Sequence, residues 1–126
     1  MSKKVITTDK APSAVGTYSQ GIEVNGTFYF SGQIGLDPAT MNMKPDFKSQ
    51  LDQILKNIDG MLESQGLKRE NIIKTTVFMT DLQKFGQVNA AYEAYFKAPY
   101  PARSTVQVSA LPKAAEIEIE VIAHKN

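Results

Sequence analysis

A chain of 126 residues, 42% hydrophobic and 21% charged, has the size of one globular domain and can bury roughly two thirds of its unfolded surface in a single core. The absence of cysteine removes disulfides, thiolate nucleophiles, iron–sulfur clusters and thiolate zinc sites. Fourteen basic against thirteen acidic side chains leave a net charge of +1, which provides no clustered cationic footprint, so nucleic acid is not expected as a partner.

The opening segment MSKKVITTDKAPSA has lysines but no apolar run behind them, so neither a secretory signal nor a transit peptide is indicated and a cytoplasmic location is expected. No stretch approaches the ~18 consecutive apolar residues of a membrane span, so no membrane association is expected. No repeat or linker divides the chain, which reads as one domain over residues 1–126. Strands are predicted near 21–24 and 27–33, flanking Asn25-Gly26, a dipeptide that tolerates the positive φ angles of a tight hairpin. Turn-forming residues from Asp37 to Pro45 predict a loop.

Between Asp46 and Gln65, apolar Phe47, Leu51, Ile54, Leu55, Ile58, Met61 and Leu62 recur at spacings of three and four before Gly66, the pattern of an amphipathic helix and its stop. IIKTTVFM, 72–79, is β-branched and short, a strand. A second helix is predicted over 82–96 from the stripe Leu82, Phe85, Val88, Tyr92, Tyr95, Phe96, and Pro99 and Pro101 forbid its continuation. STVQVSAL and EIEIEVIA predict two final strands. The order ββαβαββ implies an α/β (α+β) fold, a mixed sheet with both helices on one face. The other face needs cover; if Phe28, Phe30 and the valines lie on it, self-association provides that cover.

Candidate chemistry gathers at a few positions. Arg103 follows Pro99 and Pro101, which stiffen its approach; its planar fork suits a carboxylate or phosphate, although a surface ion pair accounts for a lone arginine as well. Glu116, Glu118 and Glu120 alternate with apolar residues and so share one strand face. Crowding there can raise the pKa of one carboxyl toward proton-transfer duty, and a solvated strand face is the competing reading. No oxygen-rich loop of metal-binding spacing occurs, and no metal site is expected. Ser31-Gly32 ends a strand where backbone can approach a ligand, or where a bulge sits. Tyr18 reads as an amphipathic wall or as half-buried packing, and Asn89 as a member of a buried network or a surface group. The only histidine, His124, reads as a solvated tail residue.

Taken in order, APSAVGTYSQG, FSGQIGLDP, IIKTTVFMTDL, VNAAYEAYF, PARSTVQVSALP and IEIEVIA resemble the RidA (reactive intermediate deaminase, YjgF/UK114-type) family over roughly residues 10 to 123. The resemblance implies a chorismate-mutase-like fold, a homotrimer with sites in the clefts between subunits, and cofactor-free hydrolysis of enamine and imine acids such as 2-aminoacrylate, 2-iminopropanoate and 2-iminobutanoate to 2-keto acids and ammonia. It also implies roles: Arg103 grips the substrate carboxylate, Glu118 activates water, and Tyr18, Ser31, Gly32, Asn89 and the backbone of Thr105 line the cleft. Many relatives carry proline where Thr17 stands and cysteine where Thr105 stands, so no thiol chemistry is expected. A metabolite-binding regulator without catalysis, and an endoribonuclease or translation inhibitor, are the alternative activities among proteins of this kind.

Overall fold

The computed structural model describes residues 2–126. Six strands form one sheet in the order β1-β2-β3-β6-β4-β5: β1 (Lys4–Ile6), β2 (Gly21–Val24), β3 (Thr27–Phe30), β4 (Ile72–Met79), β5 (Ala102–Gln107) and β6 (Ile117–His124). Every neighbouring pair is antiparallel except β4 and β5, which are parallel. Two helices, α1 (Phe47–Ser64) and α2 (Phe85–Tyr95), connect the strands. No helix among the described residues is long and apolar enough to cross a membrane.

The first strand was not predicted: three residues are too few for an alternation to register, and β1 exists because Ile6 pairs with Gly21 at the sheet edge. The hairpin of β2 and β3 forms as expected, with Asn25 and Gly26 at φ 51° and 84°, the left-handed pair that a tight turn with the sheet's own twist requires. The third strand is shorter than predicted, stopping at Phe30 rather than residue 33. Gln33 rejoins the sheet by exchanging backbone hydrogen bonds of 2.8 and 3.0 Å with Ile119. Because Tyr29 faces Ile122 while Gln33 faces Ile119, one extra residue is accommodated between them, and Ser31-Gly32 bulges.

Asp46 caps α1 reciprocally with Ser49, its carboxylate accepting from the Ser49 N–H at 2.8 Å; a cap of this kind contributes about 1 kcal/mol. At the other end Gly66, at φ 67°, allows the Leu67 N–H to donate to Leu62 O at 2.9 Å, which closes the helix. The second helix begins later than predicted, since 82–84 form a 3-10 turn after Asp81, whose carboxylate accepts from Gln83 N–H.

Leu51, Ile54, Ile58 and Met61 of α1 and Val88 of α2 meet Val77 and Met79 of β4 and Ile117, Ile119 and Val121 of β6 in one buried cluster. Both helices therefore cover the same sheet face. Truncating Leu51 to alanine in such a core costs about 2–5 kcal/mol. Phe28 and Phe30 belong to this core, which corrects their assignment to the uncovered face: the register Glu23↔Phe28 and Gly21↔Phe30 turns them inward and Tyr29, half exposed, outward. In-register neighbours share a face, so the open face carries the row Val5, Ile22, Tyr29, Ile122 and the row Glu118, Phe78, Val106. His124 is no solvated tail residue; it ends β6, with Nδ1 3.0 Å from Thr27 Oγ1.

Candidate functional site

Glu118 stands on the open face of β6, paired in register with Phe78. No hydrogen bond or ion pair among the described residues holds its carboxyl. Burial, and secondly the charge of Glu120 two positions along the same face, push its pKa above the usual carboxylate range. The bulge at Ser31-Gly32 is what admits it. A Cβ on Gly32 would lie 2.9 Å from Glu118 Cδ and overlap its carboxylate oxygen, so only glycine leaves the carboxyl this position.

The N-terminal segment builds the opposite wall. Buried Gln20 accepts from Thr8 N–H at 2.7 Å and donates to the carbonyls of Thr8 and Pro12 at 2.9 and 2.8 Å. Ser31 donates its hydroxyl to Ser19 O at 2.6 Å and its N–H to Gln20 O at 2.9 Å, tying the bulge to the Tyr18 stretch. Tyr18, Ser31, Gly32 and Glu118 thus line one cavity of about 470 Å³. Glu116, expected beside Glu118 and Glu120, is diverted: it precedes the strand, and Lys84 Nζ holds its Oε1 at 2.6 Å.

Arg103 lies elsewhere. On the edge strand β5 it pairs in register with Thr75, a buried residue of the helix-covered face, so its side chain rises toward α2. Its Nη1 donates to Asn89 Oδ1 at 2.8 Å, and the guanidinium carbon sits 4.8 Å from the Phe85 ring centre and 5.2 Å from that of Tyr92. Tyr92, whose hydroxyl donates to Thr75 Oγ1 at 2.9 Å, is fixed beneath it. One donor nitrogen is thereby anchored and the fork stacked, with its other N–H groups left for an anion. Asn89, Tyr92, Glu93, Tyr100, Pro101 and Arg103 line this second cavity. Thr105, two residues along the same side, has a buried hydroxyl with no hydrogen-bond partner among the described residues.

The seven candidate residues therefore separate. Tyr18, Ser31, Gly32 and Glu118 come together in one place, Arg103 and Asn89 in another with Thr105 two residues along β5 on the same side, and the two groups occupy opposite faces of the sheet. Sequence reasoning missed Tyr92 and Phe85 as the bed of Arg103, since both read only as core stripe. It also missed Gln20, the clamp of the Tyr18 wall, and Lys113, which lines the Glu118 cavity. No local pattern marks either of them.

A family model described as Endoribonuclease L-PSP matches residues 8–125. The chain is 53% identical over 122 residues to a RutC family protein of Aquifex aeolicus, covering 95% of this chain and 98% of that protein. It is 45% identical over 122 residues to the 2-iminobutanoate/2-iminopropanoate deaminase of Mus musculus, covering 96% of this chain and 90% of that one. The crystal structure of RidA from an Antarctic Psychrobacter superposes with a TM-score of 0.94 at 46% identity, over 97% of this chain and 99% of that chain.

Proposed function

The chain belongs to the Endoribonuclease L-PSP family, that of the RidA proteins, and from this premise we propose that it hydrolyses small 2-imino acids to 2-keto acids and ammonia, in a site shared between copies of a homotrimer. The observation that carries the reading is the separation of Arg103 from Glu118 on opposite sheet faces. A pinned guanidinium and an unpaired, half-buried carboxyl are complementary halves of a site for a small acid, and only a second copy can join them. The apolar residues of the open face, Val5, Ile22, Tyr29, Ile122, Phe78 and Val106, supply a surface for that assembly.

In this mechanism Arg103 of one copy binds the substrate carboxylate with its free N–H groups, while Asn89 and the rings of Phe85 and Tyr92 hold the fork in place. Glu118 of its neighbour, ionised, orients a water against the imine carbon. As the water oxygen bonds to carbon, its proton passes to Glu118 and from there to the nitrogen. The same carboxyl then takes the hydroxyl proton and delivers it to the amine nitrogen, the carbon–nitrogen bond breaks as the carbonyl forms, and ammonia departs. A carboxyl with a raised pKa gives up and recovers a proton near neutrality more readily than an ordinary one. Positioning supplies most of the remaining acceleration, because the imine carbon is already electrophilic. An enamine substrate enters the same route once carbon 3 takes a proton.

The alternative in the family's name, RNA cleavage, finds less support: the charge is balanced at +1, and the only histidine contacts Thr27 at the end of β6. The test is ammonia release from 2-aminoacrylate generated freshly by a serine dehydratase. Acceleration by the native chain and its loss in both Arg103→Ala and Glu118→Ala is the expected result; turnover undiminished in either variant would refute the reading.

A further inference from the structure

The cavity that holds Glu118, about 470 Å³ in one copy and open on the side that a neighbour would face, extends well past the carboxyl. Beyond the carboxyl, its wall includes Val15, Leu36, Met41 and Lys113. Among the described residues, Lys113 is the one cation in that lining.

Lys113 is held there by an unfavourable backbone. It and Ala114 take φ values of 55° and 56°, left-handed conformations that consecutive residues with side chains rarely adopt without surrounding restraint. The restraint is visible on both sides: Ala115 N–H donates to Pro112 O at 3.1 Å, and Glu116 N–H donates to the buried Gln50 Oε1 at 2.9 Å. The nearest acid in sequence, Glu116, is occupied by Lys84, and Lys113 has no ion pair among the described residues. Among the described residues, no ion pair joins Lys113 to Glu118 either.

We propose that Lys113 determines specificity by receiving a second carboxylate on the substrate, so that the site accepts dicarboxylic 2-imino acids of four or five carbons. The inference rests on the deaminase reading above and extends it to a substrate class. With the α-carboxylate on Arg103 of one copy and the imine carbon at Glu118 of its neighbour, the substrate's methylenes lie along the apolar wall and the distal carboxylate meets the ammonium. The hydrolysis itself is unchanged.

The test compares imines made in the assay by amino-acid oxidases, with catalase present, from glutamate and from 2-aminobutyrate. Native chain, Lys113→Met and Lys113→Arg are followed by ammonia release, and their binding of 2-oxoglutarate and 2-oxobutanoate is measured by calorimetry. The expected result is that Lys113→Met lowers the ratio of dicarboxylic to monocarboxylic turnover, and the affinity for 2-oxoglutarate, by tenfold or more, while Lys113→Arg keeps both. An equal change for both substrates, or a native chain that accelerates only the monocarboxylic imine, overturns the proposal. If no imine is accelerated yet 2-oxoglutarate binds in a Lys113-dependent way, the deaminase reading falls and the role of Lys113 stands. If neither turnover nor such binding occurs, both fall.

Discussion

Gly32 provides the space that the Glu118 carboxyl occupies: a side chain at position 32 would begin 2.9 Å from Glu118 Cδ. Gly32→Ala should therefore displace the carboxyl, either into the cavity or back toward solvent. Because proton transfer by a positioned group contributes about 10²–10⁴-fold, turnover should fall by at least about tenfold. The melting temperature should change by only a few degrees, since the bulge lies outside the core. Parallel activity and thermal-melt measurements check this; unaltered turnover contradicts the close approach.

Glu118 also sets a pH dependence. The proposed mechanism needs its ionised form, so turnover should decline as pH falls through its raised pKa. Glu120→Gln removes the like charge two positions away and should move that acidic limb to lower pH without abolishing turnover. A pH–rate profile of the two proteins decides the matter, and coincident limbs would exclude Glu120 as a contributor.

The same shift has a stability consequence with the opposite sign from an ion-paired acid. A carboxyl whose native pKa lies above its ordinary value of 4.5 binds its proton more tightly folded than unfolded, so folding gains most while it is protonated. That gain is lost as pH rises from the ordinary value through the raised one. Glu118→Gln, permanently neutral, should melt higher than the native chain at pH 7 and lose this advantage in acid. Thermal melts at the two pH values read it directly.

For Arg103 the geometry matters as well as the charge. Arg103→Lys keeps the cation and loses the fork, and each charge-assisted hydrogen bond lost is worth about 1.5–3 kcal/mol, roughly a ten- to hundredfold rise in KM. Asn89→Ala leaves the guanidinium stacked on Phe85 and Tyr92 but removes its 2.8 Å anchor, so its effect should be smaller. Steady-state kinetics of the two variants tests the order; a larger loss in Asn89→Ala would mean that Asn89 itself touches the substrate.

The proposed sharing of the site between copies predicts complementation. When equal amounts of Arg103→Ala and Glu118→Ala chains are unfolded and refolded together, about a quarter of the sites should combine an intact arginine with an intact glutamate from a neighbour, by random assortment in a closed homo-oligomer. Each variant alone should be inactive, and a mixture as inactive as its parts rules out the shared site. Tyr29→Asp on the open face should lower the assembled mass in light scattering and remove activity with it.

Much of the architecture is legible in local pattern. The three-and-four spacing from Phe47 to Leu62, the Asn25-Gly26 turn and the alternation in IEIEVIA each report a periodicity that the backbone must satisfy within a few residues. Where the reading failed, a longer-range constraint was responsible. Strand β1 is defined only by its partner, and the inward turn of Phe28 and Phe30 depends on which hairpin face meets α1. Glu116 left the predicted carboxylate row because Lys84, 32 residues earlier, supplied a charge to hold it.

The residue types that the proposed chemistry needs, a stiffened arginine and an alternating glutamate, were determined by sequence alone, as was the element order that carries them. Tertiary structure alone decided that these two side chains stand on opposite faces, that a bulge at Gly32 makes room for one and an aromatic bed holds the other, and that Lys113 lines the cavity. The physical reason is that alternation says which residues share a face, while register, edge position and helix coverage, which are set by contacts distant in the chain, decide what each face meets.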